Sequence, residues 1–124
     1  MSQGDESAAI IAAINASFTT PRAFDFDTAR TLTAESYVIV SVSRRYVPER
    51  RASGDVTVPG GRLMTRYVAK KVANVYALRA TVTALLENKM LPLGGDFIGP
   101  FSFEADETVG PDDGYYSAAD FWTY

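Results

Sequence analysis

The 124-residue sequence has a mass of 13.5 kDa, is 47 % hydrophobic and 22 % charged, and carries a net charge of −3, which predicts a single globular domain over residues 1–124. It contains no cysteine, which excludes disulfides, thiolate chemistry and cysteine-ligated metal sites. It contains no histidine either, which leaves only carboxylates, Lys, Tyr, Ser and Thr for any chemistry.

The first predicted element is a helix over residues 5–18. Ile10, Ile14 and Phe18 recur there at helical spacing and form one apolar stripe. Residues 22–27 then alternate between apolar and polar side chains, which is typical of a short edge strand or an extended arm.

Two longer strands follow. Residues 36–46 are rich in β-branched and aromatic side chains and predict the clearest strand of the chain. Residues 48–61 contain several Gly and Pro and predict a long exposed loop. Residues 62–69 resume the alternation and are expected to pair with the first long strand. The side chains expected on one face of this second strand are Leu63, Thr65, Tyr67 and Ala69.

A second helix is predicted over residues 72–86, with Asn74 as a possible N-cap. Its expected apolar stripe consists of Val75, Leu78, Val82 and Leu85, widened by Val72, Tyr76 and Leu86. Residues 101–107 alternate as a strand, with Phe101, Phe103 and Ala105 on one face.

The chain closes with a predicted hairpin. Residues 111–114, with the sequence PDDG, are a strong turn signal, and residues 115–124 form the last strand. The aromatic residues 121–124 belong either to the core or to an exposed anchor. The order of elements predicts an α+β fold, with two helices packed on one face of a mostly antiparallel, four- to five-stranded sheet.

The charges are segregated along the chain. Residues 41–79 hold nine bases and two acids, whereas residues 91–124 hold seven acids and no base. The two regions could neutralise each other within one molecule, remain solvated, or pair between copies. A sequence pI near 4.8 argues against a dedicated nucleic-acid binder.

Carboxylates supply the candidate chemical sites. Asp112, Asp113 and Asp120 could hold a divalent cation, but their spacing matches no ligand loop. Glu104, Asp106 and Glu107 could act as acids or bases, but no partner nucleophile accompanies them. The glycines form no phosphate-binding pattern. The prediction is a protein that is not an enzyme, with no catalytic, metal or cofactor site.

No targeting or membrane segment is predicted. The longest uncharged apolar run covers residues 8–14, well short of the roughly 20 residues that a membrane span needs. The N-terminal residues carry acids where an export signal would carry Lys or Arg.

The sequence resembles the tail terminator (tail completion) proteins of long-tailed bacteriophages, the siphophages, especially those of actinobacterial hosts. The resemblance rests on the order and spacing of several segments over nearly the whole chain. These segments are YVIVSVSRRY at residues 37–46, GRLMTR at 61–66, NVYALR at 74–79, FE at 103–104, PDDGYY at 111–116 and DFWTY at 120–124.

This resemblance implies a structural role. Terminators of this kind are α+β subunits that form a six-membered ring on the last ring of the tail tube, stop its polymerisation and offer a docking surface to head-completion (connector) proteins. The expected partners are therefore further copies of this chain, the major tail tube protein and a head-completion protein. DNA passes through the ring lumen without sequence-specific binding. The expected location is the head-proximal end of the virion tail, after assembly in the host cytoplasm.

Charge segregation suggests which residues would make the intersubunit or tube contacts. The bases are Arg44, Arg45, Arg50, Arg51, Arg62 and Arg66, and the opposing acids are Glu104, Asp106, Glu107, Asp112 and Asp113. Some of these arginines could instead line the lumen through which DNA passes. Two alternative functions remain open. One is a head–tail connector (stopper or adaptor) of the same particle, and the other is a small nucleic-acid-binding protein that stacks bases on Tyr37, Tyr46 and Tyr67.

Overall fold

A computed structural model describes residues 3–18, 22–25, 35–44, 61–93 and 95–124. The fold is α+β, as predicted, with helices α1 (Gln3–Asn15) and α2 (Val72–Leu86). The strands are β1 (Ala23–Phe24), β2 (Ser36–Arg44), β3 (Gly61–Ala69), β4 (Leu91–Leu93), β5 (Asp96–Ile98), β6 (Ser102–Asp106), β7 (Gly110–Asp112) and β8 (Tyr115–Thr123). Within these ranges, neither helix is long and apolar enough to cross a membrane.

Six strands form the main sheet, in the order β1-β2-β3-β8-β6, with β7 also paired to β8. Every pairing in this sheet is antiparallel except that of β1 with β2. The sheet has six strands rather than the predicted four to five, because residues 110–112, which overlap the predicted turn at 111–114, form a short strand of their own. Strands β4 and β5 make a separate hairpin that the sequence analysis did not predict.

Both helices pack on one face of the sheet. Ile10 and Ile14 of α1 are fully buried there, as the helical stripe predicts. The predicted inward face of β3 is also confirmed, since all four of its side chains are buried. Leu63 pairs with Trp122, which is buried in the same core, so the C-terminal aromatic segment belongs to the last core strand.

Asn15 joins the end of α1 to β1. Its side-chain Oδ1 accepts hydrogen bonds from the backbone N–H groups of Arg22 (2.8 Å) and Ala23 (2.7 Å), and its Nδ2 donates to the Ala23 carbonyl (3.2 Å). The helix ends at Asn15 rather than Phe18. After Asn15 the chain continues as a turn, in which backbone hydrogen bonds join residues three positions apart.

Two local predictions were wrong. Asn74 is not the N-cap, because α2 begins at Val72 and Lys71 precedes it without a side-chain capping bond. A bulge between Phe103 and Ala105 shifts the register of β6, so these residues do not share a face. The loop predicted over residues 48–61 lies, up to residue 60, outside the described residues.

Candidate interaction surface

Two arginines of β3 pair with acids near the sheet edge. The Arg62 Nη2 lies 3.1 Å from Glu104 Oε1, and the Arg66 guanidinium makes two hydrogen bonds, of 3.1 and 3.3 Å, to the Glu107 carboxylate. The bulge in β6 accommodates Glu104. All four side chains are partly exposed, so each pair stabilises the fold by about 1 kcal/mol or less. Of the predicted contact residues, the structure brings these four together within one chain.

A third ion pair is buried beneath α2. Asp120 of β8 is 1 % exposed, and its Oδ1 lies 3.2 Å from Arg79 Nε. Arg79 Nη2 also donates a hydrogen bond to the backbone carbonyl of Glu107 (3.0 Å). Arg79 therefore ties α2 both to β8 and to the segment that follows β6.

The Asp120 carboxylate ends a chain of buried hydrogen bonds. Trp122 Nε1 donates to Thr65 Oγ1 (3.1 Å), and Tyr67 donates its hydroxyl proton to Asp120 Oδ2 (2.8 Å). Thr65 Oγ1 and the Tyr67 hydroxyl are 2.8 Å apart. Because the only hydroxyl proton of Tyr67 goes to Asp120, the Thr65 hydroxyl donates this central bond.

Burial is the largest influence on the pKa values of the two ionisable groups in this network, Asp120 and Tyr67. Desolvation raises the pKa of Asp120 above its ordinary value, against the hydrogen bond from Tyr67 and the charge of Arg79. Burial also raises the pKa of the Tyr67 phenol strongly. The Trp122 indole N–H, the Thr65 and Tyr67 hydroxyls and Asp120 Oδ2 are hydrogen-bonded within the network, whereas Asp120 Oδ1 and Arg79 Nε are in ion-pair contact without a hydrogen bond. This arrangement fits a structural network that holds α2 on the sheet.

The remaining predicted acids lie on the exposed edge formed by β6 and β7. Asp106, Asp112 and Asp113 are exposed, and none forms an ion pair with another described residue. Asp113 occupies a turn with a positive φ of 48°. In the described part of the chain, no three acids are grouped so that they could hold a metal ion.

Of the predicted bases Arg44, Arg45, Arg50 and Arg51, the structure describes only the backbone of Arg44. The backbone of Arg44 ends β2 opposite Gly61. Arg45, Arg50 and Arg51 lie outside the described residues.

Four large hydrophobic side chains on α2, β6 and β8 are exposed, which was not predicted from the sequence. They are Val72, Tyr76, Phe103 and Tyr116. Val72 and Tyr76 were expected to widen the buried stripe of α2 but are 36 % and 54 % exposed. Their helical spacing did suggest an apolar side of α2. The position of β6 and β8 beside that side could not be derived from the sequence.

The contacts of Arg79 show which side of α2 faces β8. Arg79 reaches toward β8 and the residues after β6, and Tyr76 lies on the same side of the helix, three residues earlier. Phe103 contacts the buried Trp122 ring edge-on at 5.6 Å, and Tyr116 lies on the same face of β8 as the inward-facing Ala118 and Trp122. Phe103 and Tyr116 therefore lie on the helix-covered side of the sheet, near opposite ends of β8.

Comparisons with known proteins give structural similarity only. No family model matches the sequence, and no curated protein matches it. One similar solved structure, of a protein without a functional name, is 17 % identical with a TM-score of 0.67, over 99 % of this chain and 95 % of its own. Another belongs to the virion of a native gene transfer agent (GTA) particle. It is 16 % identical with a TM-score of 0.65, over 97 % of this chain and 93 % of its own. The chain therefore shares its fold with these proteins.

Proposed function

We propose that this protein is a non-enzymatic structural component of a phage-like virion and acts as the tail terminator. The observation that carries the proposal is the agreement in fold, over nearly the full length of both chains, with a chain of the gene transfer agent virion. The match covers the helices, the sheet and the C-terminal strand together. The sequence segments that resemble siphophage tail terminators lie between residues 37 and 124.

In this proposal six copies form a ring on the last ring of the tail tube. The ring stops polymerisation of the major tail tube protein and offers its other side to a head-completion protein. DNA crosses the lumen without sequence-specific contacts. The protein thus belongs at the head-proximal end of the tail.

The ion pairs divide the predicted contact residues into two groups. Arg62 and Arg66 have acidic partners within their own chain, so their first role is to hold the β6 edge against β3. Asp106, Asp112 and Asp113 form no ion pair with another residue that the structure describes. We assign the intersubunit or tube contacts first to these three acids and to Arg44, Arg45, Arg50 and Arg51.

Deletion of the gene from the genome that encodes the particle tests this function. A terminator that is absent leaves tube growth unchecked, so the expected product is tails of abnormal and variable length beside unattached heads, seen by negative-stain electron microscopy. Complementation with the wild-type chain should restore a single tail length. Tails of normal length, with filled heads that leak DNA or fail to attach, would instead identify a head–tail connector and contradict the terminator role.

A further inference from the structure

Two carboxylates and one cation meet where α2 packs on β8. Asp106 of β6 is directly opposite Asp120 of β8, and side chains at directly opposite positions of paired strands share one face, with Cβ atoms about 5 Å apart. Arg79 of α2 contacts Asp120 at 3.2 Å. Among the described residues, the charged or titratable groups that face Asp120 are Arg79 from α2, Tyr67 from β3 and Asp106 from β6. One base therefore serves two neighbouring acids.

The two acids differ in their surroundings. Asp120 is 1 % exposed, whereas Asp106 is exposed and its carboxylate is solvated. Asp120 Oδ1 and Arg79 Nε are buried without a hydrogen bond, so the attraction between opposite charges is what joins them. Burial and the facing charge of Asp106 both raise the pKa of Asp120, against Tyr67 and Arg79. The buried carboxylate is thus only partly compensated in its ionised form.

The hydroxyl groups beside Asp120 can serve both of its protonation states. The Tyr67 hydroxyl donates to Oδ2 of the ionised carboxylate at 2.8 Å and lies 2.8 Å from Thr65 Oγ1. Because a hydroxyl can donate or accept, a protonated Asp120 can donate to the Tyr67 oxygen while Tyr67 donates to Thr65. Arg79 has no such alternative at this position, because protonation removes the opposite charge that compensates the burial of its cation.

We propose that these side chains form a proton-operated switch, in which Arg79 leaves Asp120 for the exposed Asp106 when Asp120 takes up a proton. The movement is short, because the two acids are cross-strand neighbours and Arg79 Nη2 already donates to the backbone carbonyl of Glu107, the residue after Asp106, at 3.0 Å. An exposed ion pair between α2 and β6 then replaces the buried one between α2 and β8. Exposed pairs contribute little, so α2 is held less firmly at acidic pH. This inference does not depend on the terminator role.

A pH titration of the isotope-labelled full chain by NMR spectroscopy tests the switch. The Asp120 Cγ signal and the Arg79 Nε–H signal should shift together between pH 7 and about pH 3.5, with one midpoint above 3.8. Circular dichroism verifies that the chain stays folded over this range. In Asp120→Asn, a neutral group replaces the acid at every pH. The Arg79 signal of this variant should therefore stay at its low-pH position even at pH 7.

Asp106→Asn removes the second partner of Arg79 and leaves the buried network intact. The Asp120 midpoint should move to lower pH, because a like charge is gone, and the Arg79 signal should no longer follow it. Glu104→Gln is the matched control, because Glu104 is also an exposed acid of β6 but pairs with Arg62 on the other face of the sheet. It should leave both titrations unchanged. An Asp120 that titrates without a change at Arg79, an Asp120 that stays ionised down to pH 3.8, or an Arg79 signal that still follows Asp120 in Asp106→Asn would each overturn the inference.

Discussion

Replacing Arg79 with methionine removes the counter-ion of a carboxylate that is only 1 % exposed. Asp120 Oδ1 loses the cation 3.2 Å away, while Tyr67 remains as the hydrogen-bond donor to Oδ2. Breaking a buried ion pair by removing one partner typically costs about 3–5 kcal/mol. A domain of this size is stabilised by about 5–15 kcal/mol in total. Arg79→Met should therefore lower the free energy of unfolding by about 3–5 kcal/mol at pH 7.

Urea unfolding at equilibrium measures this loss of free energy. The fluorescence of Trp122, the single tryptophan of the chain, follows the unfolding because this side chain is buried in the same network. The double variant Arg79→Met with Asp120→Asn is the control. It leaves no uncompensated charge in the core, so it should recover part of the loss despite carrying two substitutions. A loss below about 1 kcal/mol for the single variant would refute the role assigned to the pair.

The same variant should respond to pH. Burial raises the pKa of Asp120 in the folded state above its ordinary value of 3.8. At pH values between 3.8 and this raised pKa, the folded protein therefore binds more protons than the unfolded chain. Rising pH through this window therefore lowers stability. Arg79 normally lowers the pKa of Asp120, so its removal widens the window. The loss caused by Arg79→Met should be smaller near pH 4 than at pH 7, and an equal loss at both would contradict this assignment.

Three further substitutions test the packing. Gly61→Ala places a Cβ against the Tyr124 ring and should cost about 1–3 kcal/mol, and a double-mutant cycle with Tyr124→Ala should show that the two losses are not additive. Gly99→Ala should destabilise the fold by more than about 1 kcal/mol in thermal melts, because Gly99 has a φ of 118° and an added Cβ would lie 2.7 Å from a backbone carbonyl oxygen. Gly95→Ala is the control and should be nearly neutral, because an added Cβ there meets no atom within 4 Å. Asn15→Ala should cost about 2 kcal/mol or more, because it removes three hydrogen bonds to the backbone at β1, whereas Asn15→Asp retains the two accepted bonds and should cost less in urea titrations.

The regular elements could be predicted because each leaves a periodic signal. Alternation identified the inward face of β3, and helical spacing identified Ile10 and Ile14. The bulge between Phe103 and Ala105 interrupts the period, so the faces of β6 were assigned incorrectly. The β4–β5 hairpin is too short to show a period, and its Pro and Gly residues are also typical of a loop.

The buried network could not be predicted because its members are far apart in sequence. Thr65 and Tyr67 lie 53 to 57 residues from Asp120 and Trp122 and meet them only through the pairing of β3 with β8. From sequence alone, Asp120 was considered with Asp112 and Asp113 as a possible cation ligand, and the prediction favoured no metal site. The charge pattern did correctly indicate two segments of opposite sign. It could not decide which charges pair within the chain.

The length of tail tubes assembled in vitro tests the central proposal most directly. The major tail tube protein of the same particle is polymerised with and without this protein, and tube lengths and tube ends are recorded by electron microscopy. The account predicts that tubes stop growing and carry a six-fold ring at one end only when the protein is present. Tubes that continue to elongate, with bare ends, in the presence of excess protein would contradict it.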